Sequence, residues 1–89
     1  MIIAKTFKIS GKVQNVGFRF YAHKKAKEYQ ITGFVKNEPD GSVYIEAEGE
    51  SINLDVFESW CKLGPTWSRV SEFKSNQSPV MNYSDFIIK

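Results

Sequence analysis

The chain has 89 residues, 42% of them apolar and 15% aromatic, and this length suits one compact domain over residues 1–89. A formal net charge of +2 attracts small anions but falls well short of the basicity typical of nucleic-acid-binding domains. One cysteine and one histidine exclude an internal disulfide and argue against a structural zinc site. With no signal-like or membrane-length apolar stretch, we expect a cytoplasmic monomer that uses no metal, no cofactor and no membrane.

Hydrophobic periodicity predicts six main elements and a short seventh. In chain order these are a strand over 3–10, a helix over 18–29, strands over 31–37 and 42–49, a helix that ends at Gly64-Pro65, a strand over 69–75 and a short strand over 83–89. Pro39-Asp40-Gly41 predicts the turn between the second and third strands, because proline presets its own dihedral angle and glycine accepts a positive φ. Cys61 lies on the apolar side of the second helix and is predicted to be a small core residue.

The order strand, helix, strand, strand, helix, strand predicts an α+β fold of the ferredoxin-like βαββαβ type. In this sandwich an antiparallel sheet carries two helices on one face, and the 83–89 segment would add a short fifth strand. A right-handed crossover makes the first two strands parallel, so both end at the same edge of the sheet. Asn37 has the same alternation as Ile31 and Val35, which face the core. Asn37 should therefore point towards the start of the first helix.

The segment Gly11–Arg19 joins a flexible, amide-rich turn to an arginine at the predicted start of a helix. Free backbone N–H groups at a helix N-terminus attract anions, and a guanidinium matches the geometry of phosphate oxygens. The segment lacks the Gly-Lys-Ser/Thr ending of a nucleotide P-loop, which argues against nucleotide hydrolysis. It also begins with glycine where cysteine-dependent phosphatases place their nucleophile. Lys12 adds at most long-range attraction and is interpreted as solvated.

Two motifs give the chain a resemblance to the acylphosphatase family. The first is Gly11-Lys12-Val13-Gln14, continued by Val16, Phe18 and Arg19, and the second is Phe34-Val35-Lys36-Asn37 followed by Asp40-Gly41-Ser42-Val43. Similarity continues at Gly64-Pro65, at Ser68-Arg69-Val70 and at Tyr83-Ser84-Asp85-Phe86, so it covers nearly the whole chain. The chain departs from the family pattern at Asn15, where glycine is usual. If that position needs a positive φ, asparagine tolerates it at a cost of about 1 kcal/mol.

This resemblance implies hydrolysis of the carboxyl–phosphate anhydride of small acyl phosphates. Arg19 would bind the phosphate and Asn37 would position the attacking water. The implied phosphate-binding loop, which would also hold inorganic phosphate or other anions, consists of Gln14, Asn15, Val16, Gly17, Phe18 and Arg19. A complete closing strand favours a stand-alone enzyme over an acylphosphatase-like module joined to carbamoyl-transfer proteins.

Three alternatives stay open at the level of sequence. A ferredoxin-like domain can instead bind RNA or a protein on its open sheet face, although Tyr44 is the only aromatic residue of the third strand. Asn37 could simply cap the following turn by bonding to its own backbone. His23, four residues after Arg19, could act as a general base or accept a phosphoryl group, but an isolated helix histidine beside lysines is usually a surface residue.

Overall fold

The computed structural model describes residues 1–89 and contains five strands and two helices. In chain order they are β1 (Ile2–Lys12), α1 (Phe18–Glu28), β2 (Thr32–Asn37), β3 (Val43–Glu50), α2 (Ser51–Leu63), β4 (Arg69–Ser78) and β5 (Phe86–Ile88). The order of elements predicted from the sequence is confirmed. The main differences lie in β1 and β4, which are longer than predicted, and in β5, which is shorter.

The sheet has the strand order β4-β1-β3-β2-β5. Both β1 and β2 pair antiparallel with β3, so they run in the same direction with β3 between them. β4 is antiparallel to β1, whereas β5 is parallel to β2, which makes the sheet mixed rather than wholly antiparallel. The ferredoxin-like α+β fold is confirmed, and it brings the C-terminal ends of β1 and β2 to the same edge.

One hydrophobic core lies between the sheet and the two helices. Alternate strand residues point into it, and the ring of Phe7 on β1 lies 6.3 Å from the ring of Phe57 on α2. Ala22 and Ala26 form the buried side of α1, where small side chains allow the helix to approach the sheet. Cys61 is fully buried here, as predicted, and burial raises the pKa of its thiol. The other buried core residues are Ile9, Val13, Phe18, Ile31, Val35, Val43, Ile45, Ala47, Leu54 and Phe86.

The segment before β5 is held against the opposite face of the sheet. The backbone N–H of Tyr83 donates to the Glu48 carboxylate at 3.2 Å, and so does the N–H of Met81. The Tyr83 hydroxyl donates to Glu46 at 2.5 Å. Because these groups bond to side chains rather than to a neighbouring strand, β5 begins at Phe86 and not at Tyr83 as the sequence pattern predicted.

Candidate functional site

The end of β1 and its connection to α1 are shaped by residues with positive φ. Gly11 has φ 125°, and a Cβ atom there would collide with the carbonyl oxygen of Arg69 on β4. Val13 is fully buried and anchors the loop to the core. Gly17, immediately before α1, has φ 79° and ψ 14°. Asn15 has φ 63°, the kind of conformation that asparagine tolerates better than most residues.

This loop leaves its backbone donors free. No hydrogen bond within the protein uses a backbone N–H of residues 15–20, and no side chain caps the start of α1. The first N–H groups of a helix have no intrahelical partner, and the helix dipole places partial positive charge at the same end. The loop and the first turn of α1 therefore present a set of unoccupied donors to solvent, which suits an anion.

A cavity of about 250 Å³ opens beside these donors. Its lining combines residues of the loop, of the first turn of α1 and of the ends of β2 and β5. These residues are Val13, Asn15, Gly17, Phe18, Arg19, Phe20, Asn37 and Ile88. The structure thus brings together five of the seven predicted site residues, namely Asn15, Gly17, Phe18, Arg19 and Asn37. The predicted loop residues Gln14 and Val16 do not line the cavity.

Arg19 is oriented by the far end of the chain. One Nη1–H donates to the main-chain oxygen of Lys89 at 3.1 Å, while the N–H of Lys89 donates to the carbonyl oxygen of Val35 at 2.8 Å. β5 lies parallel to β2, so this contact ties the guanidinium to the same edge of the sheet as Asn37. A guanidinium has five N–H donors, and most of them remain available for a ligand.

Asn37 closes β2, where it pairs with Val43 of β3. Its side chain is half-buried and takes part in no hydrogen bond within the protein, so both its amide oxygen and its amide nitrogen are free to bind a ligand or a water molecule. The following turn is closed by other groups. The alternative in which Asn37 caps that turn through its side chain therefore has no hydrogen bond to support it.

Gln14 serves the turn between β2 and β3 rather than the cavity. Its Nε2 donates to the carbonyl oxygens of Glu38 and Ser42, at 2.8 Å and 2.9 Å. These two residues also bond to each other, since the Glu38 N–H donates to the Ser42 oxygen at 2.8 Å. The side chain thus links the loop after β1 to the turn after β2.

Asp40 completes this turn, and its carboxylate accepts hydrogen bonds from the Ser42 hydroxyl at 2.6 Å and the Ser42 N–H at 3.0 Å. Lys8 on β1 lies 2.9 Å from the other carboxylate oxygen. The Ser42 hydroxyl, Lys8 and the Ser42 N–H, in that order of effect, hold the pKa of Asp40 well below its usual range. The same contact with Asp40 raises the pKa of Lys8.

Two other candidates from the sequence lie away from the cavity. His23 is half-buried on α1 with its ring 6.3 Å from that of Phe86, and it does not contribute to the lining. Lys12 is exposed and makes no ion pair. No group of three or more His, Cys, Asp and Glu side chains is arranged to hold a metal ion. Neither helix has the length and apolar character needed to cross a membrane.

Known proteins resemble this chain in sequence and in fold. A family model described as Acylphosphatase matches residues 5–88. The chain belongs to the acylphosphatase family. An acylphosphatase of Archaeoglobus fulgidus is 44% identical over 85 residues, which is 96% of each chain. The structure of an acylphosphatase from Coxiella burnetii superposes with a TM-score of 0.95 at 38% identity, over 99% of this chain and 93% of that one. The acylphosphatase from Bacillus subtilis gives a TM-score of 0.94 at 32% identity, over 100% and 99% of the two chains.

Three lining residues of this acylphosphatase-family chain were not predicted as site residues, and one of them, Val13, belongs to the first sequence motif. Phe20 lies outside the apolar stripe of α1, which runs through Phe18 and Ala22. Its position in the helical repeat therefore indicates an exposed aromatic ring. Ile88 had no local signal. It reaches the cavity only because β5 pairs in parallel with β2, and that pairing joins segments about fifty residues apart in the chain.

The open face of the sheet, considered for RNA or protein binding, is acidic at its centre. The hydroxyls of Tyr44 and Tyr83 both donate to Glu46, at 2.8 Å and 2.5 Å. Burial and the hydrogen bond to Glu46 raise the pKa of Tyr44 to about 12. Carboxylates at this position repel the phosphates of a nucleic acid, and the tyrosine hydroxyls already have acceptors. Lys36 and Lys89 lie over the Tyr44 and Phe34 rings, so this face also carries positive charge.

Proposed function

We propose that this chain hydrolyses the carboxyl–phosphate anhydride of small acyl phosphates to a carboxylate and inorganic phosphate. The loop N–H groups and Arg19 bind the phosphate, and Asn37 orients the attacking water. The observation that carries the proposal is one cavity in which unoccupied backbone donors, a guanidinium and an unbonded amide side chain meet. Membership of the acylphosphatase family supports the same reaction.

The proposed chemistry suits these groups. The water oxygen bonds to phosphorus as the bond from phosphorus to the carboxylate oxygen breaks, and the electron pair leaves with the carboxylate. A carboxylate is a good leaving group, so positioning and charge stabilisation matter more than a strong base. Asparagine can hold water through its amide but cannot accept a proton at neutral pH. We assign the proton to a phosphate oxygen of the substrate or to bulk water.

Arg19 and the loop donors stabilise the negative charge of the phosphoryl group. Donors fixed before the reaction stabilise the transferring phosphoryl group without reorganising as the bond breaks. The guanidinium contacts the phosphate in the ground state and in the transition state, so its loss should weaken binding and slow turnover together. The proposed reaction requires neither a metal ion nor a cofactor, because these groups supply the positive potential themselves.

The test is hydrolysis of benzoyl phosphate and acetyl phosphate by the wild-type chain, Arg19→Ala and the matched control Arg69→Ala. Arg69 is the only other arginine and is an exposed residue of β4 outside the cavity lining. We expect wild-type turnover of both compounds, a loss of about 10³ in kcat/KM for Arg19→Ala and little change for Arg69→Ala. A wild-type chain inactive on both compounds, or equal losses in the two variants, would overturn the proposal.

We further propose that residues 1–89 act as one acylphosphatase-like domain and as a monomer in the cytoplasm. The proposal of a single domain is supported by one core to which both helices and β1, β2, β3 and β5 contribute buried residues. Sedimentation equilibrium should give the mass of one chain, and specific activity should not change with protein concentration. A dimer that dissociates with loss of activity would contradict the monomer.

A further inference from the structure

The cavity has two kinds of wall. Asn15, Arg19, Asn37 and the free N–H groups form a polar side, and four apolar residues form the rest. Two of those four, Val13 and Phe18, are almost completely buried in the core and offer little surface to a ligand. Phe20 and Ile88, by contrast, are 60% and 45% exposed. The apolar surface that a ligand could touch therefore comes mainly from these two side chains.

The exposure of Phe20 follows from the helical repeat. At about 100° per residue, Phe20 lies about 200° around α1 from Phe18, which faces the core. Its ring packs edge-on against Tyr21, with centroids 5.1 Å apart and an interplanar angle of 81°. The Tyr21 ring in turn borders Gly17, where a Cβ atom would come within 3.3 Å of it. Phe20 is thus supported from the loop side, which reduces the freedom it loses on meeting a ligand.

A substrate in this cavity would span both walls. A single bridging oxygen separates the acyl carbon from phosphorus. When the phosphate is bound on the polar side, the acyl group therefore lies next to the cavity wall. The acetyl methyl group is too small to cover much of an aromatic ring. A benzoyl ring or a longer alkyl chain can remove apolar surface from water on Phe20 and Ile88.

We propose that Phe20, with Ile88, forms the acyl-group subsite and makes the chain prefer acyl phosphates with aromatic or extended apolar acyl groups over acetyl phosphate. The inference rests on the proposed hydrolysis. In it, Phe20 determines specificity, while Arg19, Asn37 and the loop donors contact the phosphate and the water that all acyl phosphates share. Loss of the Phe20 ring should therefore affect one class of substrate and spare the other.

The kinetic test compares kcat/KM for benzoyl and acetyl phosphate in the wild-type chain, Phe20→Ala and Phe20→Leu. The control is Trp67→Ala, which removes another aromatic side chain that is 76% exposed and lies outside this cavity. Because the two substrates differ in intrinsic reactivity, the benzoyl-to-acetyl ratio is compared between variants. We expect this ratio to fall about 10-fold in Phe20→Ala, less in Phe20→Leu and not at all in Trp67→Ala.

A second readout does not depend on turnover. Benzylphosphonate and methylphosphonate carry the same anion on different organic groups, and their binding to each variant can be measured by calorimetry. Phe20→Ala should weaken benzylphosphonate about 10-fold and leave methylphosphonate within about twofold. Circular dichroism checks that each variant is folded, which the exposure of Phe20 leads us to expect.

The outcomes distinguish a failure of the proposed subsite from a failure of the proposed hydrolysis. An unchanged benzoyl-to-acetyl ratio, or equal losses on both substrates, would overturn the role of Phe20 while leaving hydrolysis standing. Equal binding of the two phosphonates would also contradict the subsite, whereas no binding of either would contradict the anion site of the proposed function. A wild-type chain that binds benzylphosphonate in preference but hydrolyses neither acyl phosphate would instead contradict the proposed function.

Discussion

The loop over residues 13–17 and the turn over residues 38–42 meet at one edge of the sheet and use backbone hydrogen bonds in opposite ways. The turn is satisfied internally, since Gly41 donates to Glu38, Glu38 donates to Ser42, and Ser42 donates to Asp40. The loop also contains one glycine with positive φ, Gly17, just as the turn contains Gly41. Yet the N–H groups of residues 15–20 have no acceptor in the protein.

This difference separates a structural turn from a binding loop. Donors that face water cost little while they remain solvated, and they can exchange that water for an anion. Donors already bonded to the chain have no such capacity. Each segment contains one glycine with positive φ, so glycine does not distinguish the two, whereas the presence or absence of an acceptor for their N–H groups does.

Among changes that compare the loop with the turn, the largest effect should come from Asn37, the last residue of β2 before the turn. Asn37→Ala should lower kcat on benzoyl phosphate by about 10² or more, because the attacking water loses its orienting amide. Competitive inhibition by inorganic phosphate should stay within about threefold, because the phosphate donors are intact. Asn76→Ala on the exposed part of β4 is the matched control. Equal loss of turnover and phosphate binding would show that Asn37 belongs to the anion site itself.

A glycine pair tests the two segments under comparable strain. Gly17 and Gly41 both have positive φ, 79° and 92°, so alanine should cost about 1–2 kcal/mol of stability at either position. A Cβ atom at Gly17 would meet the Tyr21 ring at 3.3 Å, beside the free donors, whereas nothing lies within 4 Å of one at Gly41. We expect a loss of activity of about 10-fold for Gly17→Ala only. Equal losses would mean that the turn contributes to the site as much as the loop does.

Gln14 joins the two segments, and its removal should loosen one from the other. Gln14→Leu deletes both hydrogen bonds to the turn and should lower the free energy of unfolding by about 1–3 kcal/mol, as measured in urea. Gln77→Leu, at an exposed position of β4, controls for the change from amide to alkyl group. If stability is kept but phosphate inhibition weakens strongly, Gln14 binds the anion directly instead.

The smallest expected effect is a change in the stability of the chain with pH. The pKa of Asp40 is held low in the folded chain, so its contribution to stability is complete above the unfolded value of about 3.9 and declines as pH falls below it. Asp40→Asn should therefore be less stable than wild type at pH 7, and the difference in the free energy of unfolding between the two should be smaller at pH 3. Urea unfolding at the two pH values measures this change. A difference that is constant with pH would mean that the turn does not depend on this charge.

The sequence predicted much of this arrangement because several signals were local or topological. Alternation and element order were sufficient for the ferredoxin-like fold, and strand parity led us to expect Asn37 beside the start of α1. The role of Gln14 was not predictable, because its acceptors are carbonyl groups in a turn more than twenty residues away. The place of Ile88 in the cavity was not predictable either. It depends on β5, a strand of only three residues, and the sequence of β5 does not show that it pairs in parallel with β2. The start of β5 was missed for a similar reason, since Glu48 captures the preceding N–H groups across the sheet.

The strand order also governs how the cavity comes into being. Only β2 and β3 are joined by a short turn. The other strand pairs join residues that are far apart in the chain, such as Lys12 with Arg69 and Gly33 with Phe86. Chains dominated by such distant pairings pay loop-closure entropy before they gain contacts, and they fold on the order of milliseconds to seconds rather than microseconds. Because Asn15, Asn37 and Ile88 come from three distant parts of the chain, no partly folded form holds the complete cavity. During refolding, recovery of benzoyl phosphate hydrolysis should therefore coincide with the final closure of the sheet.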